Sequence, residues 1–289
     1  MPNTIALAKK YVALLDEVYQ QSALTSVLES DSELARAGAN TNEIIVPKLS
    51  MDGLADYDRN SGYVGGDVDL TWETVKFNYE RGRKFSIDAM DDEETQNVAF
   101  GKLAGEFVRT KVVPELDAFR FATYAGTEGV SKKEETLSDG VAVMQAIETA
   151  VSAMDEAEVP YEDRYLFITP TKLNAVKSLD TTKSRELLGS FASIVKVPQT
   201  RFYTGIDLLD GTSHDEKKGG YKKADGAKDI NFMVVHKPAV LQFTKHAVPK
   251  IITPDANQNS DAWLYGYRNN GLCDVYENKV AGIYVSHSA

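Results

Sequence analysis

The sequence predicts an α+β fold dominated by a long β ribbon that passes directly into a helix. Three observations carry this prediction. From Val68 to Asp88 the chain reads VDLTWETVKFNYERGRKFSID, a strand pattern of unusual length. From Glu94 the stretch ETQNVAFGKLAGEFVRTKVVPELDAFRFATYA follows, with apolar residues at helical spacing. Further on, a short apolar strand, Tyr165 to Ile168, leads through Thr169-Pro170 into a helix, the beginning of an α/β unit. The ribbon is apolar on its two faces in turn, which an ordinary surface hairpin does not explain. A second copy of the chain covering part of it would, and that points to a protein that assembles.

Each element has a local reason. Ile5 to Tyr19 carries Leu7, Ala8, Tyr11, Val12, Leu14, Leu15, Val18 and Tyr19 at helical spacing, with Thr4 as N-cap. A short turn, Ala23 to Leu28, precedes the small, polar stretch SDSELARAGANTNE, which has the composition of a joint. The first helix is then either an arm or a helix folded back on its own core; the pattern allows both. Ile44 to Leu49 is the outgoing strand, and Pro47 makes it an edge or bulged strand. MDGLADYDRNSGYVGG, with four glycines, is the tip. On the return strand the apolar set is Val68, Leu70 and Trp72, then Val75, Phe77 and Tyr79, so it changes face between Trp72 and Val75. Either a β-bulge near Thr74 restores one buried face, or each half is covered by a different neighbour.

Asp88, Asp91, Asp92, Glu93 and Glu94 open the next helix, where carboxylates suit the positive end of the helix dipole. Val98, Leu103, Phe107, Val112, Leu116 and Phe119 form its buried stripe, and Pro114 must kink it or mark a join between two helices. Gly140 to Glu158 is another helix, buried through Val143, Met144, Ile147, Ala150, Val151 and Met154. Strands are expected at Val197 to Tyr203 and Phe232 to Val235, separated by a hydrophilic exposed loop. Its lysines, 217, 218, 222, 223 and 228, are interspersed with acids and do not suit phosphate binding. Two closing strands, WLYGYRNNGLCDVYE and KVAGIYVS, turn at Glu277-Asn278-Lys279.

Composition excludes several classes. The chain has 289 residues, enough for one large or two intimate domains, and 26% of them are charged, which argues against wholesale disorder. Cys273 is the lone cysteine, so no internal disulfide forms; it is read as a small core residue. There is no apolar run of about 18 residues to span a membrane, and MPNTIALAKKYVALL does not read as a secretory leader. A net charge of -11 opposes gripping nucleic acid through a basic face. Phosphate-loop, dinucleotide-loop, nucleophile-elbow and HExxH motifs are missing, and the four histidines have no ligand spacing. No catalytic residue, cofactor or metal site is therefore expected.

The order of parts resembles the major capsid proteins of tailed bacteriophages, with the Hong Kong 97-type fold. The resemblance spans residues 1 to 287 and is most specific in WETVKFNYERGRKFSIDAMDDEET and in Pro114 to Ala122. It implies an N-terminal arm (1–40), an extended loop (41–87), a peripheral domain (88–135) with a spine helix over 93–125, an axial α/β domain (136–258), and closing strands (259–289) returning to the peripheral domain. It further implies pentamers and hexamers that join into an icosahedral shell around double-stranded DNA, held without sequence-specific binding. The extended loop would reach over an adjacent subunit, burying obligate interfaces of roughly 2,000 Å² or more. Tyr57, Arg59, Trp72, Val75, Phe77, Arg81, Arg83 and Lys84 are the inter-subunit candidates, the cations pairing with Asp56, Asp58 or Glu80. A separate scaffolding protein and a portal would be partners, and the shell would assemble in the bacterial cytoplasm to become the virion capsid. Two other readings stand beside this one: an encapsulin-type bacterial nanocompartment shell, and a soluble α/β enzyme without a recognised motif.

Overall fold

The computed structural model describes residues 23–30, 36–37, 43–94 and 105–289. The expected helix over Ile5 to Tyr19 and the stripe residues Val98 and Leu103 lie outside the described residues.

Thirteen strands are found among the described residues, in four sheets. The extended hairpin consists of β1 (Arg36–Ala37), β2 (Glu43–Met51) and β3 (Val68–Lys76), in that order. Next come β4 (Tyr79–Asp88), β5 (Ser131–Glu134), β6 (Arg164–Ile168) and β7 (Ser193–Lys196). They are followed by β8 (Ile206–Leu208), β9 (Tyr221–Lys223), β10 (Ile230–His236), β11 (Val240–Ile252), β12 (Ala262–Val275) and β13 (Ile283–His287). The helices are α1 (Ala89–Glu94), α2 (Val113–Gly126), α3 (Gly140–Glu156), α4 (Pro170–Lys177) and α5 (Thr182–Gly189).

The main sheet is mixed, in the order β5-β13-β10-β6-β7. Its central strand, INFMVVH, is buried along its whole length because both faces are covered. Phe232 and Val234 pack with Val143, Ile147, Ala150 and Met154 of α3 and with Leu173 and Val176 of α4. Met233 and Val235 face the other way, toward Phe121, Tyr124 and Ala125 of α2 and toward Leu28. Each large side chain so buried contributes about 1.5–3 kcal/mol. Asp139 caps α3 by accepting from the Ala142 amide at 2.8 Å. Gly140 is required there: a Cβ would sit 2.3 Å from the Ala175 carbonyl oxygen of α4.

Pro114 marks a join, as the sequence demands. A π turn over Val108–Val112 runs straight into α2, with the Val113 amide donating to the Val108 carbonyl five residues back. The wider turn shifts the hydrogen-bond ladder at the point where proline has no amide to offer. The inner face of the antiparallel sheet β11-β12-β4 packs on this junction through Phe85, Ile87, Tyr265, Tyr267 and Ile251, which meet Phe107, Val108, Val112 and Val113.

Residues 23–30 occupy a polar slot between α2 and β11. Asp117, wholly buried, accepts from the Thr25 hydroxyl (2.8 Å), the Thr25 and Leu24 amides (3.1 and 3.2 Å) and Arg201 (3.2 Å). Gln242 donates to the Thr25 carbonyl at 2.8 Å and accepts from the Tyr124 hydroxyl at 2.8 Å. Such groups are tolerated inside only when paired, so the slot specifies this segment and no arbitrary one. Burial pushes the Asp117 carboxyl above the usual range in spite of its donors.

Several elements differ from expectation. The strand expected at Val197 to Tyr203 is β7 instead, because Pro198 ends the ladder and a 3-10 turn, Gln199–Arg201, follows. The hydrophilic insertion is not wholly loop, since β8 and β9 pair within it. The two closing strands do not pair with each other. A 3-10 turn, Glu277–Gly282, sends β12 to β4 and β11, and β13 to β10 and β5. Thr169 stands before Pro170 as expected, but its hydroxyl makes no cap bond. Cys273 is a buried core residue, and burial pushes its thiol up to about 12.

Candidate assembly surface

The extended hairpin has one unbroken register. Every pair from Glu43↔Lys76 to Met51↔Val68 follows without a shift, so no bulge exists near Thr74. Directly opposed residues share a face. One face therefore carries Ile44, Val46, Lys48 and Ser50 with Val75, Glu73, Thr71 and Asp69; the other carries Ile45, Pro47, Leu49 and Met51 with Thr74, Trp72, Leu70 and Val68. The change of side read from the sequence is real, and it separates two environments.

The first face holds the hairpin to its own body. Ile44, Val46 and Val75 are buried against Leu241 and Leu272, with Phe77, Phe243 and Tyr276 around them. Lys48 pairs with Glu277 at 2.6 Å. The hydrogen bond between them raises the Lys48 ammonium and lowers the Glu277 carboxyl from their ordinary values. Burial, the largest influence on Glu73 beside them, raises its carboxyl.

The second face turns away from the body. Leu49 (51%), Met51 (63%), Val68 (67%) and Leu70 (55%) are exposed, and so is Trp72. Among the described residues β1 pairs with Ile44 and Ile45, and Pro47 lies two residues further along β2. Four large apolar side chains aligned across two strands form a stripe of the kind that marks an interaction surface.

The tip is ordered by its own backbone. Asp58 and Gly62 bridge each other (2.7 and 3.3 Å), and the Asp58 carboxylate accepts from the Asn60 amide (2.6 Å) and the Ser61 amide (2.9 Å). Those amides, Ser61 first, hold the Asp58 carboxyl below the usual carboxylate range. Gly62 has a φ of +83°, a conformation that favours glycine. Tyr57 and Tyr63 meet edge-to-face at 4.9 Å, both exposed, and Leu54 stands fully exposed beside them.

The candidate residues thus divide. Tyr57, Arg59 and Trp72 lie on the hairpin and are exposed, and Lys84 is exposed on β4. Val75 is withdrawn, because its side chain belongs to the chain's own core. Phe77 packs at the edge of that cluster with the Lys245 ammonium 4.8 Å from its ring centre. Arg81 is spent within the chain, pairing with Glu115 at 2.8 Å and donating to the Leu209 and Gly220 carbonyls. Arg83 donates to the Lys217 carbonyl at 2.8 Å, and Glu80 pairs with Arg268. Leu49 and Met51 were missed as site residues although the alternation Ile45, Pro47, Leu49, Met51 is visible in the sequence; the outgoing strand was expected to stop at Leu49.

No protein-family model matches the sequence, and no curated protein does. Solved structures do. The structure of Gordonia phage Cozz is similar with a TM-score of 0.61 at 13% identity, covering 93% of this chain and 87% of that one. The capsid of Myoviridae phage XM1 gives 0.57 at 10% identity, over 92% and 91% of the two chains. A virus-like particle from Pyrococcus furiosus gives 0.60 at 10% identity, over 97% and 99%. With the extended hairpin, the helix joined at Pro114 and the mixed main sheet all in place, the chain has the Hong Kong 97-type capsid fold.

Proposed function

We propose that this chain is the major capsid protein of a tailed bacteriophage, a structural subunit and not an enzyme. It forms pentamers and hexamers that close into an icosahedral shell around double-stranded DNA, with a separate scaffolding protein and a portal as partners in the bacterial cytoplasm. One observation carries the reading beyond fold likeness: the hairpin reaches away from its body with an apolar stripe, Leu49, Met51, Val68 and Leu70, on its far side. A second copy beneath that stripe removes it from water, and one contact repeated around a ring gives a durable shell from modest pairwise affinity. Tyr57, Arg59, Trp72 and Lys84 are the remaining inter-subunit candidates.

Sedimentation and negative-stain microscopy of the full chain expressed with its scaffold test this; rings or closed particles are expected. A strict monomer at high concentration under all such conditions overturns it.

A nanocompartment shell is the second reading, favoured by the near-complete mutual coverage with the Pyrococcus furiosus virus-like particle. The contents of purified particles separate the two: DNA supports the phage shell, an enclosed protein the compartment.

A further inference from the structure

A crevice of about 860 Å³ opens where three parts of the chain meet: strands β4 and β12, the helix junction from Glu106 to Glu115, and the insertion that carries β8 and β9. The register explains what faces it. Arg81 opposes Asn269, Arg83 opposes Tyr267 and Phe85 opposes Tyr265, so all six share the inner face of the sheet. Phe107, from the helix junction, meets Phe85 edge-to-face at 4.8 Å and lies 6.2 Å from the Tyr267 ring, which gives the crevice an aromatic wall.

The acids that line it are already engaged. Glu115 accepts from Arg81 at 2.8 Å and from the Tyr79 hydroxyl at 3.2 Å. Glu106 pairs with Arg109 at 2.7 Å, and Asp210 accepts from the Thr212 and Ser213 amides of its own turn at 2.7 and 2.9 Å. Two cations are unspent. Lys111 and Lys218 line the crevice, are exposed, and make no ion pair among the described residues.

One buried donor is left over as well. Asn269 lines the crevice and is only 2% exposed, yet its side-chain amide nitrogen has no acceptor among the described residues. Buried donors are costly to leave unmade, and one that faces a cavity calls for an acceptor inside that cavity. We infer that the crevice binds a monocarboxylate with an apolar body. The carboxylate accepts from the Asn269 amide, the field of Lys111 and Lys218 favours the anion, and the body lies on Phe85, Phe107 and Tyr267. A single unspent buried donor suits a carboxylate better than a phosphate, whose three oxygens ask for more. The site is separate from the hairpin stripe and does not depend on the shell reading.

Isothermal titration of the purified full chain with dodecanoate, below its micelle concentration, tests this. Saturable binding with one site per chain is expected. Dodecanol keeps the apolar body without the charge and is expected to bind about tenfold more weakly or worse. Asn269→Leu removes the donor at similar volume and is expected to weaken dodecanoate about tenfold. Lys111→Glu with Lys218→Glu, both on the surface, should weaken it at least as much while the ligand-free chain melts as the parent does. That surface pair carries the test should Asn269→Leu fail to fold. Absence of saturable binding, the result if the chain's own residues already fill the crevice, overturns the inference. Unchanged affinity in either folded variant also overturns it and would place dodecanoate elsewhere, the hairpin stripe being the first alternative. Equal affinity for dodecanol overturns the assignment of a carboxylate.

Discussion

The near and far halves of the extended hairpin share two strands and one register, yet their apolar residues answer to different neighbours. Near the body, Ile44, Val46 and Val75 point to one face and are buried on Leu241 and Leu272. Farther out, Leu49, Met51, Val68 and Leu70 point to the opposite face and remain in water. A strand cannot rotate its side chains between faces without a bulge, and this one has none. The switch in pattern therefore records two environments, the inner sheltered by the same chain and the outer open to water among the described residues.

The comparison breaks most readily at Val75. Val75→Asp places a carboxylate in the near-half core and is expected to lower subunit stability by about 3 kcal/mol. Urea unfolding checks it; an unchanged midpoint would mean the near half is not anchored. Leu70→Asp sharpens the contrast. Subunit stability should change by no more than about 0.5 kcal/mol, as at other exposed sites, while particles are lost. Equal destabilisation by the two changes would put both halves on the same body.

A smaller effect is expected at the ion pair beneath the near half. Lys48→Met should lower the urea midpoint only slightly, and the difference from the parent should shrink at high salt, since the pair is open to solvent. The smallest effect lies at the tip. The Asp58 carboxyl is held low by the Ser61 and Asn60 amides, so its contribution to the turn is complete above the ordinary carboxylate pKa and is lost as pH falls through its folded value. Amide exchange at Asn60 and Ser61 should quicken on acidification in that window alone. Exchange independent of pH there, after correction for the intrinsic rate, would remove Asp58 from the turn.

Local chemistry made much of the fold readable. Alternation gave the ribbon, a proline without an amide gave the join at Pro114, and Thr169-Pro170 gave the start of α4. The face change at Trp72 and Val75 was visible as well, but the choice between a bulge and two neighbours needed the pairing of β3 with β2. Arg81 and Arg83 read as cations for pairs between subunits because their partners within the chain, Glu115 and the Lys217 carbonyl, lie far away in sequence. The polar slot around Asp117 was unreadable for the same reason: its donors come from Thr25, Leu24 and Arg201 on other segments.

By itself, then, the sequence determined what neighbouring residues can settle, because backbone preference and side-chain periodicity act over a few positions: the strands of the ribbon, the helix join, the buried cysteine and an apolar pattern that changes face between Trp72 and Val75. Only the tertiary structure decided which face of that ribbon its own chain shelters, which charges are consumed at home, and that β12 and β13 go to different sheets. Those outcomes depend on contacts between segments far apart along the chain, and such contacts exist only once the strands have paired and the core has closed.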